Sequence, residues 1–217
     1  MAEHVNNNRM VLLLIAGLPL TMMLAATWLW WFVMHGDLDL IGMVGTANRG
    51  QLVQPPRQLE ESEFRDVDGR IFVLSELEPR WAMLVPAAGG ACDASCENAL
   101  YMTRQIHIAQ GKEFNRVRRI LVSDSPVADM PLAVAELKDG RPAPPDLVTL
   151  LQQEHRGLKA LSSESAYHRV LFPDYAENRS TWYLADPAGW IMMAYNSDVD
   201  YKDVITDIKF LLKNSSQ

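Results

Sequence analysis

The sequence predicts an α/β domain, a central mixed sheet with flanking helices, preceded by one membrane-crossing helix. Three observations point to it. Met10–Met34 is an apolar run with no charge. From Phe64 onward, short runs of strand length alternate with segments of helical spacing. The chain then closes on strand, turn, strand and amphipathic helix between Thr181 and Lys213.

The apolar run holds 25 residues. At about 1.5 Å per residue it reaches roughly 37 Å, enough to cross a hydrocarbon core of about 30 Å with some tilt. Trp28, Trp30 and Trp31 crowd its C-terminal end, where indole rings favour the membrane–water interface. Pro19 is tolerated because neighbouring groups re-satisfy the freed carbonyl. A cleaved signal would have a shorter apolar region, of about 7–15 residues, and here the small residues Ala25 and Ala26 sit inside the run. An uncleaved anchor is therefore expected. Arg9 precedes the span, and Asp37 and Asp39 follow it before the next basic residue, Arg49. That asymmetry puts the N-terminus in the cytoplasm and the domain outside it, in the periplasm if the membrane is a bacterial inner membrane.

The division expected is a tail (1–9), an anchor (10–34), an extended linker (35–61) and one domain (62–217). The linker assignment rests on Gly42, Gly45, Gly50, Pro55 and Pro56 without sustained periodicity. The net charge of −7 belongs almost wholly to the domain, which excludes the basic footprint of a nucleic-acid binder.

Within the domain, Asp68-Gly69 marks a hairpin turn in Phe64–Leu74. Trp81–Val85 is a run of buried-strand length, followed by the Gly89-Gly90-Ala91-Cys92 loop. A helix is expected over about Ser95–Gln110, closed by Gly111, and then a strand over Arg119–Ser123. Prolines 126, 131, 142, 144 and 145 break the next stretch around a short helical piece at Leu132–Lys138. Asp146 N-caps a helix to Glu154. Leu158–Leu161 reads as a short strand and Ser162–Leu171 as a helical turn or two. Thr181–Ala185 and Trp190–Tyr195 are strands flanking the turn Asp186-Pro187-Ala188-Gly189. Val204, Ile205, Ile208, Leu211 and Leu212 fall on one face of a final helix, about Tyr201–Lys213. A cysteine-bearing loop between the first buried strand and its helix, with this ending, best fits a thioredoxin-like arrangement.

Cys92 and Cys96 are the only two cysteines. They sit where a strand ends and a helix starts, and the unsatisfied N–H groups and the helix dipole there favour a thiolate. Asp93 and Glu97 oppose this. Residues four apart on a helix are neighbours, so the sulfurs can close a disulfide or grip one Cu(I). The alternative is a structural bridge or two inert thiols. Closing so short a loop removes little unfolded-state entropy, which favours redox or metal chemistry, with sulfurs open to thiol reagents.

These residues resemble the Sco/SenC proteins, thioredoxin-like, membrane-tethered copper carriers that help assemble the CuA centre of cytochrome c oxidase. The resemblance runs from about Glu60 to Leu212, plus the anchor. It rests on the cysteines spaced by three residues, the Phe64-x-Asp66-x-Asp68-Gly69 hairpin, the Tyr183-Leu184-Ala185-Asp186-Pro187-x-Gly189 turn and the closing helix. Thioredoxins and cytochrome c maturation reductases use Cys-x-x-Cys instead, and peroxiredoxins carry Thr where this chain has Gly89. Two residues depart from the Sco pattern. Asp93 replaces the proline after the first cysteine, and Asn178 stands where the family's copper-binding histidine would be. An amide is a poor Cu(I) ligand beside thiolates.

His168 is the candidate substitute ligand for that place. His107 lies about 16 Å along the helix from Cys96, while His155, His35 and His4 read as surface, linker and tail. Arg179 could stabilise a thiolate. Met192 and Met193 read as strand residues. The resemblance thus implies an assembly factor for cytochrome c oxidase, acting by thiol–disulfide exchange, Cu(I) handling or both at Cys92 and Cys96. Its partner would be an oxidase subunit or another assembly factor. The alternatives are a general extracytoplasmic thiol–disulfide reductase, which usually presents a cis-proline where this chain has none between Asp174 and Asp186, and a tethered adaptor with a structural disulfide.

Overall fold

The computed structural model describes residues 2–34, 48–59, 64–72 and 77–215, in two compact units, Met1–Ala47 and Asn48–Gln217. The first unit contains helix α1 (Ala2–Met34), which runs through Pro19. Its stretch Leu13–Trp31 is long and apolar enough to cross a membrane. Thr21 and Thr27 turn their hydroxyls back onto the carbonyls of Leu18 and Met23, the local back-bonding open to threonine within a helix.

In the second unit the described strands form one seven-stranded sheet, ordered β1-β7-β6-β3-β4-β5-β2. They are β1 (Gln51–Gln58), β2 (Phe64–Arg65), β3 (Trp81–Ala87), β4 (Val117–Ser123), β5 (Lys159–Ser163), β6 (Trp182–Ala185) and β7 (Trp190–Tyr195). β3 lies at the centre, parallel to β4 and antiparallel to β6; β5 continues the parallel set beyond β4. All seven residues of β3 are buried, the mark of a strand covered on both faces.

Alternate residues of β3 and β4 divide between the two layers. Leu84, Ile120 and Val122 meet Leu171, Phe172 and Tyr175, from α4 (Ser165–Leu171), its C-cap and α5 (Pro173–Glu177). On the other face, Val85, Ala87 and Leu121 pack with both cysteines and with α2 (Ala94–Ile108) and α3 (Leu147–Glu154). Trp81, Met83 and Val117 extend that layer under α6 (Tyr201–Asn214). The thioredoxin-like mixed sheet expected from the element order is the fold observed.

Three local expectations change. Residues 51–58 were expected in the linker but form β1, an edge strand on β7. Val53 and Leu59 sink into the core, and Pro55 and Pro56, which lack N–H donors, are tolerated at an edge beside a bulge. The buried Asp207 carboxylate fastens the strand's start, accepting from the N–H groups of Arg49 and Gly50 at 2.8 and 3.1 Å. The rest of the expected linker, 35–47 and 60–61, lies outside the described residues, as does the end of the predicted hairpin at Val73 and Leu74.

Leu132–Lys138, expected as a helical piece, is extended, because its backbone groups bond elsewhere. Ala143 donates to Ala135 and Leu137 donates to Arg141, making a hairpin that turns at Gly140, φ +82°. Ser162 and Ser163, expected in a helix, complete β5 and pair with β2.

Candidate functional site

The chain leaves the carboxyl end of β3 through Gly89 and Gly90, both with positive φ, a conformation open to glycine at little cost. That double turn delivers Cys92 to the start of α2. Asp93 is the N-cap: one carboxylate oxygen accepts from the N–H groups of Ser95 and Cys96, each at 3.0 Å. The cap that steadies the helix therefore occupies the donors that would have stabilised a thiolate, and adds a negative charge beside it.

Cys92 and Cys96 form a disulfide, with Cα atoms 5.2 Å apart. Their exposures are 0% and 1%, so the expected accessibility of the sulfurs is not met. The cover is the β4–α3 connection. Cys92 donates its N–H to Pro131 and accepts from Ala133, at 2.9 and 2.8 Å, and Val127, Met130 and Leu137 bury their side chains in the cluster that holds both sulfurs. We call residues 127–141 the strap. Its far end is fastened to α2, where the buried Glu97 accepts from the N–H of Lys138 at 3.1 Å. Burial raises the Glu97 carboxyl above the usual carboxylate range. Beyond it, Arg141 bridges Asp139 to Glu154, which also meets Arg104.

The sequence carries a signal for this cover: Val127, Met130, Leu132, Val134 and Leu137 are a dense apolar series for a proline-broken connection, and such a series needs a core to lie on.

His168 does not join the cysteines. It is 2% exposed, its Nε2 lies 3.1 Å from the Val122 carbonyl, and its ring packs edge-on against Phe172 and Tyr175 in the layer across the sheet. Burial lowers its pKa. It is a packed core histidine, and the ligand role fails. His107 is likewise buried, within 2.9 Å of the Phe114 and Val117 carbonyls. His155, expected at the surface, is buried against Arg119.

Asn178 caps the end of α5 and is committed locally: its side-chain oxygen accepts from the N–H and hydroxyl of Ser180, at 3.0 and 2.7 Å. Arg179, its neighbour, does reach the cysteine loop. Its guanidinium donates to the Ala88 carbonyl at 2.7 Å, lies 3.9 Å from the Asp93 carboxylate and covers the Tyr175 ring. Among the described residues no group of three or more His, Cys, Asp or Glu side chains is placed to share a metal ion. Reduction would leave two thiolates as the donors, a set that fits Cu(I) in near-linear coordination and suits Cu(II) poorly.

Residues 81–141 and 133–215 match a family described as transmembrane-like, thioredoxin-like, C-terminal domain. The chain belongs to this family. Among solved structures, it is similar to yeast Sco1 with copper bound, at 16% identity over 79% of this chain and 97% of that one, with a TM-score of 0.53. A second structure of yeast Sco1 gives 15% identity over 76% and 99%, with a TM-score of 0.55. A SCO1/SenC family lipoprotein from Bacillus anthracis gives 19% over 74% and 99%, with a TM-score of 0.50. At such identities these likenesses establish the shared fold. No curated protein matches the sequence.

Proposed function

We propose that the protein is a membrane-tethered assembly factor for cytochrome c oxidase, working by thiol–disulfide exchange at Cys92 and Cys96. The observation that carries this reading is the pair itself: two cysteines at the start of α2, within bonding distance, and no third metal donor brought to them among the described residues. Copper, if handled, is a cargo held as Cu(I) between two thiolates. The Sco-like fold supports the oxidase connection, and α1 supports the tether, with the domain on the periplasmic side of a bacterial inner membrane.

In the exchange, one thiolate of the reduced pair attacks a client disulfide. A mixed disulfide forms as one client sulfur leaves and takes a proton. The second cysteine then displaces the other client sulfur. The client departs as a dithiol fit to accept copper, and the Cys92–Cys96 bridge remains for an exported dithiol reductant to reopen. Because the strap covers both sulfurs, each cycle requires it to lift, a local opening cheaper than global unfolding.

One observation favours a second reading. Full burial of the bridge is what a structural disulfide in a tethered adaptor would show. The entropy argument opposes it, since closing a loop of about five residues is worth about 2 kcal/mol, against nearly 5 for a loop of about a hundred. Equilibrating the full-length protein in detergent with graded dithiol buffers separates the two. A reversible two-electron couple in the folded state is expected. A bridge reduced only on unfolding would leave the adaptor.

A further inference from the structure

A cavity of about 670 Å³ opens outside the carboxyl ends of β4 and β5, beside the cysteine loop and away from the sulfurs themselves. These strands are parallel neighbours, and the chain leaves them toward opposite faces. After β4 it supplies Val127 and Met130 to the cysteine layer; after β5 it supplies Leu171 and Phe172 to the other. Connections that part in this way open a crevice, the switch point at which open α/β sheets take their ligands.

The walls narrow the choice of ligand. They present Ser125, Ser162 and Ser163, the carboxylates of Asp124 and Glu164, and Arg65. Among the described residues no aromatic ring lines the cleft to stack a base or sugar, and no apolar wall would hold an acyl chain. Among the described residues the lining holds two carboxylates against one guanidinium, which disfavours an anion. Hydroxyls suit main-chain amides, and the spare carboxylate charge suits a lysine or arginine side chain.

The position adds the link to chemistry. Asp124 accepts from the N–H of Gly89 at 3.2 Å, three residues before Cys92. Three extended residues reach about 11 Å from the Cys92 Cα to that of Gly89, and with the hydrogen bond to Asp124 the cleft rim lies within about 15 Å of Cys92.

We infer that this cleft holds an extended basic peptide segment of the client, within about five residues of the client cysteine that meets the Cys92–Cys96 pair. The inference rests on the thiol-exchange reading. It is tested with the oxidised full-length protein in detergent and a ten-residue Lys/Ser/Gly peptide without cysteine. Backbone amide signals of Asp124, Ser125 and 162–166 should shift as the peptide is added. Glu164→Gln should weaken binding about fivefold, and Ala166→Trp, which puts an indole into the cleft from an exposed position, at least tenfold. A peptide with Glu in place of Lys should not bind. Absence of shifts at millimolar peptide, shifts centred elsewhere, or equal binding of the acidic peptide would overturn the cleft. The probe has no thiol, so these outcomes are independent of whether the bridge exchanges. That question is read separately, from the rate at which a small dithiol reduces the unmodified protein.

Discussion

Cys92 and Leu132 form a parallel β-bridge, so the first cysteine is tied by its backbone to the segment that shields its sulfur. A strand-like strap thus lies along the cysteine loop. Exchange at the pair, as proposed, would be gated by the stability of the strap, whose buried anchors are Val127, Met130 and Leu137.

Leu137→Ala should loosen the gate. Truncating a buried leucine raises the native state by about 2–5 kcal/mol relative to the open and the unfolded states alike. Reduction of the bridge by dithiothreitol should therefore accelerate at least tenfold, and its rate should depend far less steeply on urea than global unfolding does, because local opening exposes little surface. A urea dependence as steep as that of global unfolding would mean that the strap opens only when the whole domain unfolds.

Asp93 should show two separable roles. Asn caps a helix about as well as Asp, whereas Ala loses about 1 kcal/mol. Asp93→Asn should thus leave the denaturation midpoint nearly unchanged while lowering the thiol pKa values of the reduced pair, because a negative charge beside them is gone. Asp93→Ala should give the same pKa change and also lose about 1 kcal/mol. Thiolate absorbance against pH, with denaturant titration of each variant, checks both.

Much of the architecture was legible because it is local. The turn at Asp186–Gly189, the N-cap Asp146 and the apolar face of α6 each announce themselves within a few residues, and all form as read. What was not legible depends on distant partners. Pro55 and Pro56 look like linker until β7 is there to receive their strand. Leu132–Lys138 looks helical until Cys92 takes the Ala133 N–H and Arg141 and Ala143 pair with Leu137 and Ala135. The site followed the same rule: spacing placed the two sulfurs together, but only the tertiary fold buries them, turns Asn178 onto Ser180 and sets His168 across the sheet.

Copper binding should follow from that placement. The reduced protein should hold one Cu(I) against a competing chelator, and Cys92→Ser or Cys96→Ser should abolish it. Asn178→His alone should add little Cu(II) retention, because the side chain at that position is directed to Ser180 while Arg179 fills the space toward the loop. His168→Ala should lower stability, as loss of a packed core ring must, and leave the Cu(I) stoichiometry unchanged. A variant at His168 that folds but loses Cu(I) would return the histidine to the site.

The last prediction concerns acid. His155 is buried against Arg119, whose guanidinium Nη1 lies 3.1 Å from its Nδ1, and burial with the nearby positive charges holds its pKa at about 3, below the ordinary 6.5. The unfolded chain takes up this proton near pH 6.5 and the folded chain only near 3, so the stability due to neutral His155 is complete above 6.5 and drains as pH falls toward 3. The slope for one proton is about 1.4 kcal/mol per pH unit. Glu154 adds to the loss only below about 4.5, because hydrogen bonds from Arg141 and Arg104 hold its carboxyl at about 2. Between pH 6.5 and 4.5 the decline should therefore come from the buried histidines. His107 and His168, whose pKa values are also lowered by burial, should supply what His155 does not. His155→Gln keeps an acceptor for Arg119 and cannot titrate. Urea denaturation at half-unit steps across this window should show its slope reduced by up to one proton. An unchanged slope would mean that His155 is already protonated in the folded protein, and that Arg119 tolerates a second buried charge.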